Sequence, residues 1–437
     1  MRPGHVLLLA LLIWLPAAFL RPPTRQQELR VLVTARNQLE AGNPLHFEFQ
    51  EQPRYRKPPM AYWVAATGMR LANRTDSAAI ARLPFLAFAM LGLWFFMRLA
   101  GPAGSDAALL LVFSYGFWAY APLAETDFLQ LTGILAALLG WRVRSGALSG
   151  AGMAFALLSK GPGGALIPLL TFLPLQFVDP RRWTYWLQAL ALPLATAATW
   201  LLFLFSDPVA RAALQRELSA TFVDTAHDNP WFYFLYTLPL LFLPSLFLLI
   251  RHKGQTPAKS KSNSLDKGLS PDTRLAGFWF GVTLLLLTLT VSKQRHYGLL
   301  LMPPAAWLAA LHLTRDRPLL SWKPATALAL AAGLLPLPFY LTSEESRNTA
   351  FLEEARESVD NAPLLHVVGI NSARFDFHLG RHVHNTDSVH TALRRAAPDD
   401  AIVVVKKQEH WTENDPATAP ILEADDEYWI RRVYRAP

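Results

Sequence analysis

The sequence predicts an all-α polytopic membrane protein with a small α/β soluble domain at its C-terminal end. Long apolar runs recur from Val6 to Leu341 in a chain of 437 residues that is 52% hydrophobic. A membrane-crossing helix needs about 20 such residues. Cations gather in the short loops between the runs, and beyond residue 341 the composition becomes that of an ordinary soluble protein.

In chain order, the runs place spans at 6–20, 82–99, 105–121, 128–143, 149–159, 163–177, 184–205, 232–250, 275–291, 297–313 and 323–341, about eleven. The first run has Arg2 before it and Pro16-Ala17-Ala18 after it, as a signal peptide would. Its cleavage signal is poor and the alternation of loops needs it, so it is taken as a retained span. With the N-terminus in the cytoplasm, the cytoplasmic loops hold Arg98, Arg142, Arg144, Arg181, Arg182, Arg315 and Arg317. They also hold a basic linker over 251–274, whose Ser, Lys, Pro and Gly content predicts disorder. This is the positive-inside pattern, and it puts the active face and the tail outside the cytoplasm. The membrane domain is then 1–341, with a first extracytoplasmic loop at 21–81, and the soluble domain is 342–437.

The net charge of +8 does not indicate nucleic acid, because the cations lie in loops between apolar runs rather than on one soluble face. The absence of cysteine excludes disulfides, thiolate catalysis and cysteine-held metals. The outer loops are more informative. They hold Arg54, Arg56, Lys57, Lys160, Lys293 and Arg295 where topology disfavours cations, together with Glu28, Glu125, Asp127, Asp224 and His227. Charges at a membrane boundary are costly unless used, so their gathering beside Pro-Pro, Gly-Pro and aromatic residues suggests an anionic ligand at the membrane surface. Head-group snorkelling of the same cations is the simpler alternative.

In the tail, 364–370 and 401–407 read as buried strands, 388–397 as an amphipathic helix, and 428–435 alternates as a strand. His382 and His384, with His378 nearby, read as exposed polar positions rather than as a metal site.

Several motifs carry a family resemblance. "QELRVLVTARNQLEAG" (27–42) and "YRKPPMAYW" (55–63) are followed by "AETDFL" (124–129) and "LLSKGPGGALIPLL" (157–170). "AHDNPWFYFL" (226–235) and "SKQRHYGLLLMPPAA" (292–306) complete the set. In this order the chain resembles the dolichyl-phosphate-mannose protein mannosyltransferase superfamily, and within it the aminoarabinose transferase-like branch. The resemblance implies a C-type glycosyltransferase (GT-C) fold. It also implies transfer of a sugar from a polyprenyl-phosphate carrier to an extracytoplasmic lipid, glycan or protein.

By the same resemblance, Asp127 and Glu28 are the candidate catalytic carboxylates. Lys57, Arg56, Arg54, Arg30, Gln27, Tyr55, Lys160, His227, Lys293, Arg295 and Tyr297 are the candidate substrate-binding residues. Lys57 with Arg56 and Arg54 would hold the lipid phosphate, and Lys293 with Arg295 would form a second clamp. Asp127, or Thr126 beside it, also suits a helix cap. Gln27 stands where the family has an aspartate, and Arg56 where it has a glutamate that helps to hold a divalent metal. An amide is no general base and a guanidinium no metal ligand. The sequence therefore also admits a degenerate paralogue that binds the lipid-linked sugar without turnover, or a lipid-linked sugar transporter.

Overall fold

The computed structural model describes residues 1–223, 229–248, 269–290, 292–312, 319–370, 372–386, 388–407, 420–426 and 429–436. His227, Asp224, Arg315, Arg317 and most of the predicted linker lie outside the described residues. The helices are α1 Pro3–Leu20, α2 Gln26–Glu40, α3 Met60–Leu71, α4 Ala78–Ala100, α5 Gly104–Val112, α6 Tyr115–Tyr120, α7 Thr126–Arg142, α8 Gly146–Lys160, α9 Gly163–Val178 and α10 Trp183–Ser206. They continue with α11 Pro208–Val223, α12 Tyr233–Phe242, α13 Pro271–Leu289, α14 Met302–Leu311, α15 Trp322–Leu334, α16 Leu337–Thr342, α17 Glu344–Val359, α18 Ser372–Leu379 and α19 Val389–Arg395. The chain divides into two units.

The first unit comprises Met1–Ala18, Arg54–Ala61 and Arg82–Leu335. It holds most of the apolar helices. Among the described residues, five stretches are long and apolar enough to cross a membrane: Pro3–Leu20, Ala78–Val112, Trp183–Ser206, Pro271–Leu289 and Trp322–Thr342. The expected eleven spans are therefore not eleven long helices. The run 105–121 is broken where α5 stops and Ser114 caps α6, its hydroxyl accepting from the Phe117 amide at 3.4 Å. The run 297–313 is split into a 3-10 turn, Arg295–Leu300, and the ten-residue α14. Helices α7, α8 and α9 have 17, 15 and 16 residues. Apolar composition alone does not register these caps and turns.

The centre of the first unit is the antiparallel hairpin of α7 and α8. Its backbones touch because the facing residues are glycines. A Cβ at Gly133 would come within 2.6 Å of the Ala156 amide and 2.7 Å of the Gly152 carbonyl. A Cβ at Gly140 would come within 2.5 Å of the Ser149 amide. Small residues are what permit such close approach of apolar helices. The Ser149 hydroxyl donates to the Ala137 carbonyl at 2.9 Å and meets the Tyr185 hydroxyl of α10 at 2.6 Å. The N-terminal helix is part of this core: Val6, Leu9, Ile13 and Trp14 are buried, and Gly333 of α15 packs against the Leu12 carbonyl. Arg82, fully buried, donates to the Ala18 carbonyl at 3.0 Å.

The second unit comprises Phe19–Pro53, Tyr62–Ala81 and Pro336–Pro437. A two-strand ribbon, β1 Glu48–Phe49 and β2 Gln52–Pro53, follows α2. The tail forms a sheet of β3 Leu365–Gly369, β4 His384–Thr386, β5 Ala401–Lys407, β6 Leu422–Glu423 and β7 Trp429–Arg435, in the order β4-β3-β5-β7-β6. β3 runs parallel to β4 and β5, and β7 runs antiparallel to β5 and β6. The central strands are buried on both faces, as their unbroken Val and Ile runs require. Phe351, Leu352 and Ala355 of α17 pack with Val367, Val403 and Val433 in one buried cluster. Val389 and Ala392 of α19 pack with Val368, Ile402 and Tyr434 in another. Arg36 of α2 ties the first loop to the tail, its Nη2 lying 2.5 Å from Asp376 Oδ1 and its Nη1 donating to the Asp376 carbonyl at 2.6 Å. His378 is not the exposed residue expected. It is buried in α18, and burial, reinforced by Arg374, pushes its pKa down to about 3.

A Gly152→Val substitution is expected to force α7 and α8 apart and destabilise the protein by about 1–3 kcal/mol, the usual cost of overpacking. Gly277→Ala serves as control, because nothing lies within 4 Å of its added methyl group. Thermal unfolding in detergent checks this, with a lower midpoint expected for the first variant alone.

Candidate active site

The hairpin brings the first turn of α7 beside the last turn of α8. Ser145 caps α8, its hydroxyl accepting from the Leu148 amide at 3.2 Å. At the other end Gly161, with φ of 102°, stops the helix in a conformation that favours glycine, and Pro162 then leads into α9. Lys160, the last residue of α8, therefore faces Asp127. Its Nζ donates to Asp127 Oδ1 at 2.5 Å, with both side chains largely withdrawn from solvent. Neither Thr126 nor Asp127 is the helix cap, because Glu125 occupies that position and its side chain makes no capping bond. The residues Glu125, Thr126 and Asp127 are all buried.

The Lys160 ammonium also lies 4.3 Å from the centre of the Tyr297 ring, a cation–π contact. Tyr297 and His296 sit on the 3-10 turn Arg295–Leu300. His296 stands close enough to act electrostatically on Asp127, and its ring is 6.2 Å from that of Tyr120.

The segment 54–59 supplies a second cation. Pro58 and Pro59 are buried, and the residue before a proline is held extended, which carries Lys57 into the cluster. Burial, then repulsion from Lys160, lowers the Lys57 pKa from 10.5 to about 8. Asp127 and Glu125 pull it back up and Arg54 pushes it down. Five charged side chains thus share one electrostatic neighbourhood: Lys57, Arg54, Lys160, Asp127 and Glu125. Tyr55 is buried with its ring 5.8 Å from Phe203.

Lys293 is buried, and its carbonyl accepts from the Asn229 amide at 2.8 Å. Arg56 and Arg295 are exposed. Gln27, Glu28 and Arg30 belong to the first turns of α2 in the second unit, where Glu28 is fully buried and the Arg30 guanidinium lies 5.9 Å from the Phe49 ring centre. His227 lies outside the described residues. His296 is an addition to the expected residues, and its place in the polar turn between Arg295 and Tyr297 is the sequence signal for it. Arg56, at a position that the resemblance links to a divalent metal, has no lone pair to offer a cation, and no group of three or more His, Asp or Glu suited to one occurs among the described residues.

The arrangement is a cluster of three cations, Arg54, Lys57 and Lys160, against two buried carboxylates, Glu125 and Asp127, and its net positive charge suits an anion. No family model matches the sequence. The structure superposes on the crystal structure of ArnT from Cupriavidus metallidurans in the apo state with a TM-score of 0.67 at 16% identity, covering 99% of this chain and 98% of that one. The fold is that of ArnT. Against ArnT bound to undecaprenyl phosphate the TM-score is 0.65 at 17% identity, covering 100% of this chain and 98% of that one. In sequence, the chain is 27% identical over 287 residues to the undecaprenyl phosphate-alpha-4-amino-4-deoxy-L-arabinose arabinosyl transferase of Shewanella sediminis. That match takes in 56% of this chain and spans half the length of that relative. The protein is thus a multi-pass membrane protein of the ArnT-like C-type glycosyltransferase fold, with a soluble region at its C-terminal end.

Removing the carboxylate from the Asp127–Lys160 pair leaves buried cations uncompensated. Asp127→Asn is expected to destabilise the protein by about 3–5 kcal/mol, and the Asp127→Asn/Lys160→Met double variant to recover much of it. A double-mutant cycle on unfolding midpoints in detergent measures the coupling.

Proposed function

We propose that the chain transfers a sugar from a polyprenyl-phosphate carrier to an extracytoplasmic lipid, glycan or protein acceptor. The observation that carries this is the enclosed cluster of Lys57, Lys160 and Asp127 within the ArnT fold, a fold that also has a structure with undecaprenyl phosphate bound. In such a transfer the bond between the anomeric carbon and the phosphate oxygen breaks, and the electron pair leaves with the phosphate. Fixed cations stabilise that charge without a protonating acid. Lys57 and Arg54 are assigned to the leaving phosphate. Lys293 and Arg295 form the second clamp, and Tyr55 and Tyr297 wall the site.

The acceptor oxygen forms the new bond. A hydroxyl acceptor must also lose its proton, and Asp127 is the first candidate to receive it, with Glu28 the alternative from the resemblance. Asp127 is already engaged by Lys160, and Gln27 offers no carboxylate. Both features favour an acceptor that is itself a phosphate, which is ionised beforehand and needs no base.

The membrane domain at 1–341 has its N-terminus in the cytoplasm, and the tail at 342–437 lies outside. With α4 and α5 counted as separate crossings, the shorter helices α7, α8, α9, α12 and α14 bring the five long stretches to eleven crossings, and α7 runs through the inside of the bundle, buried from Thr126 to Trp141. A second reading, carrier binding without turnover, is favoured by Gln27 and Arg56 at positions where the resembled family is acidic.

Binding of undecaprenyl phosphate to the detergent-solubilised protein tests the site. Lys57→Ala is expected to weaken it about tenfold or more, the worth of one charge-assisted contact. Lys57 is the binding form while protonated, so affinity is held below pH 8 and lost as pH rises through about 8. Unchanged affinity in Lys57→Ala, or a flat profile well above pH 8, would sink the assignment.

A further inference from the structure

At the opposite end of α7, roughly 24 Å from Asp127 at 1.5 Å per residue, lies a second basic site. A cavity of about 550 Å³ opens where the ends of α7 and α9 meet the start of α13. Arg142, Arg144, Arg181 and Arg274 line it with only two carboxylates, Asp179 and Asp272. Asp179 is shared by two arginines, Arg181 at 2.6 Å and Arg144 at 3.1 Å. Asp272 takes Arg142 at 2.6 Å. Arg274 makes no ion pair among the described residues.

The cavity is built rather than incidental. Arg181 is only 8% exposed. Its Nη2 donates to the Trp141 carbonyl at 2.9 Å, and its guanidinium sits 4.5 Å from the centre of the Trp141 ring. Trp141 is itself stacked on Phe172 at 4.7 Å. Yet the Arg181 Nε, also buried, has no hydrogen-bond partner among the described residues. A buried donor left unpaired is costly, so its presence beside a surplus of two positive charges signals an anion with acceptor oxygens. Apolar side chains stand exposed close by in sequence, Phe177 at 92%, Trp183 at 73% and Val143 at 56%. Such residues at the ends of membrane helices face acyl chains and the head-group layer.

We propose that this cavity binds the phosphate of an anionic phospholipid, with the arginines on the head group and the apolar rim along its chains. Basic pockets between membrane helices on the cytoplasmic side hold such head groups in general. The site is independent of the Lys57–Lys160 cluster and stands whether or not the chain transfers sugar.

The test is native mass spectrometry of the full chain after incubation with vesicles of phosphatidylcholine alone or mixed with phosphatidylglycerol. Inorganic phosphate serves as a separate probe. The wild type is expected to retain phosphatidylglycerol and not phosphatidylcholine. Arg144→Gln/Arg274→Gln is expected to weaken that retention about tenfold, two charge-assisted contacts being lost at an exposed rim. Arg274→Lys, which keeps the charge and the fold, is expected to recover part of it. Equal retention by the double variant and the wild type overturns the proposal. So does capture of inorganic phosphate with no lipid retained, which would make the site one for a free anion.

Discussion

The backbone contact between α7 and α8 is the constraint on which the site depends. Gly133, Gly140 and Gly152 carry no side chain where the two helices meet, so the hairpin closes to a distance that any Cβ would forbid. That closeness places the first turn of α7 against the last turn of α8. Asp127 and Lys160 can then meet at 2.5 Å, away from solvent. In an apolar bundle no water-driven collapse holds helices together, so contact of this kind and the hydrogen bonds of Ser149 supply the cohesion. The ion pair is a consequence of the glycines rather than their substitute.

The same helix links two basic regions of different character. At its first turn three cations stand against two buried acids, and burial lowers the pKa of Lys57. At its last turn four arginines face two acids. A tunable ammonium suits a site that must release its anion. A fixed guanidinium suits one that keeps it.

Much of this was legible in the sequence, for physical reasons that differ by element. The motif order puts Lys57, Asp127, Lys160 and Tyr297 in loops of one expected face, and in the structure Lys160 meets both Asp127 and the Tyr297 ring, with Lys57 in their electrostatic neighbourhood. The pairing of Asp127 with Lys160 was not legible, since it depends on the register of the hairpin and not on either motif alone. Arg56 and Arg295 lie within those motifs but are exposed, because neighbours in a turn point in different directions. Strands β3, β5 and β7 were legible from their apolar runs. The short β4 and β6 were not, since two or three residues carry no period and are fixed by pairing to their neighbours. The expected long spans failed where a single capping serine or a 3-10 turn interrupts an apolar run that composition reads as continuous.

Turnover at the Lys57–Lys160–Asp127 cluster is what makes the chain a transferase rather than a carrier-binding protein. Mass spectrometry of envelope lipids and glycans tests it most directly, comparing cells with the protein, cells without it, and cells carrying Lys57→Ala at the same membrane level of protein. A sugar-bearing species present in the first, absent from the second and strongly reduced in the third is the predicted result, and it would identify the acceptor. No difference in any species across the three would contradict it, leaving a fold that holds the carrier without using it.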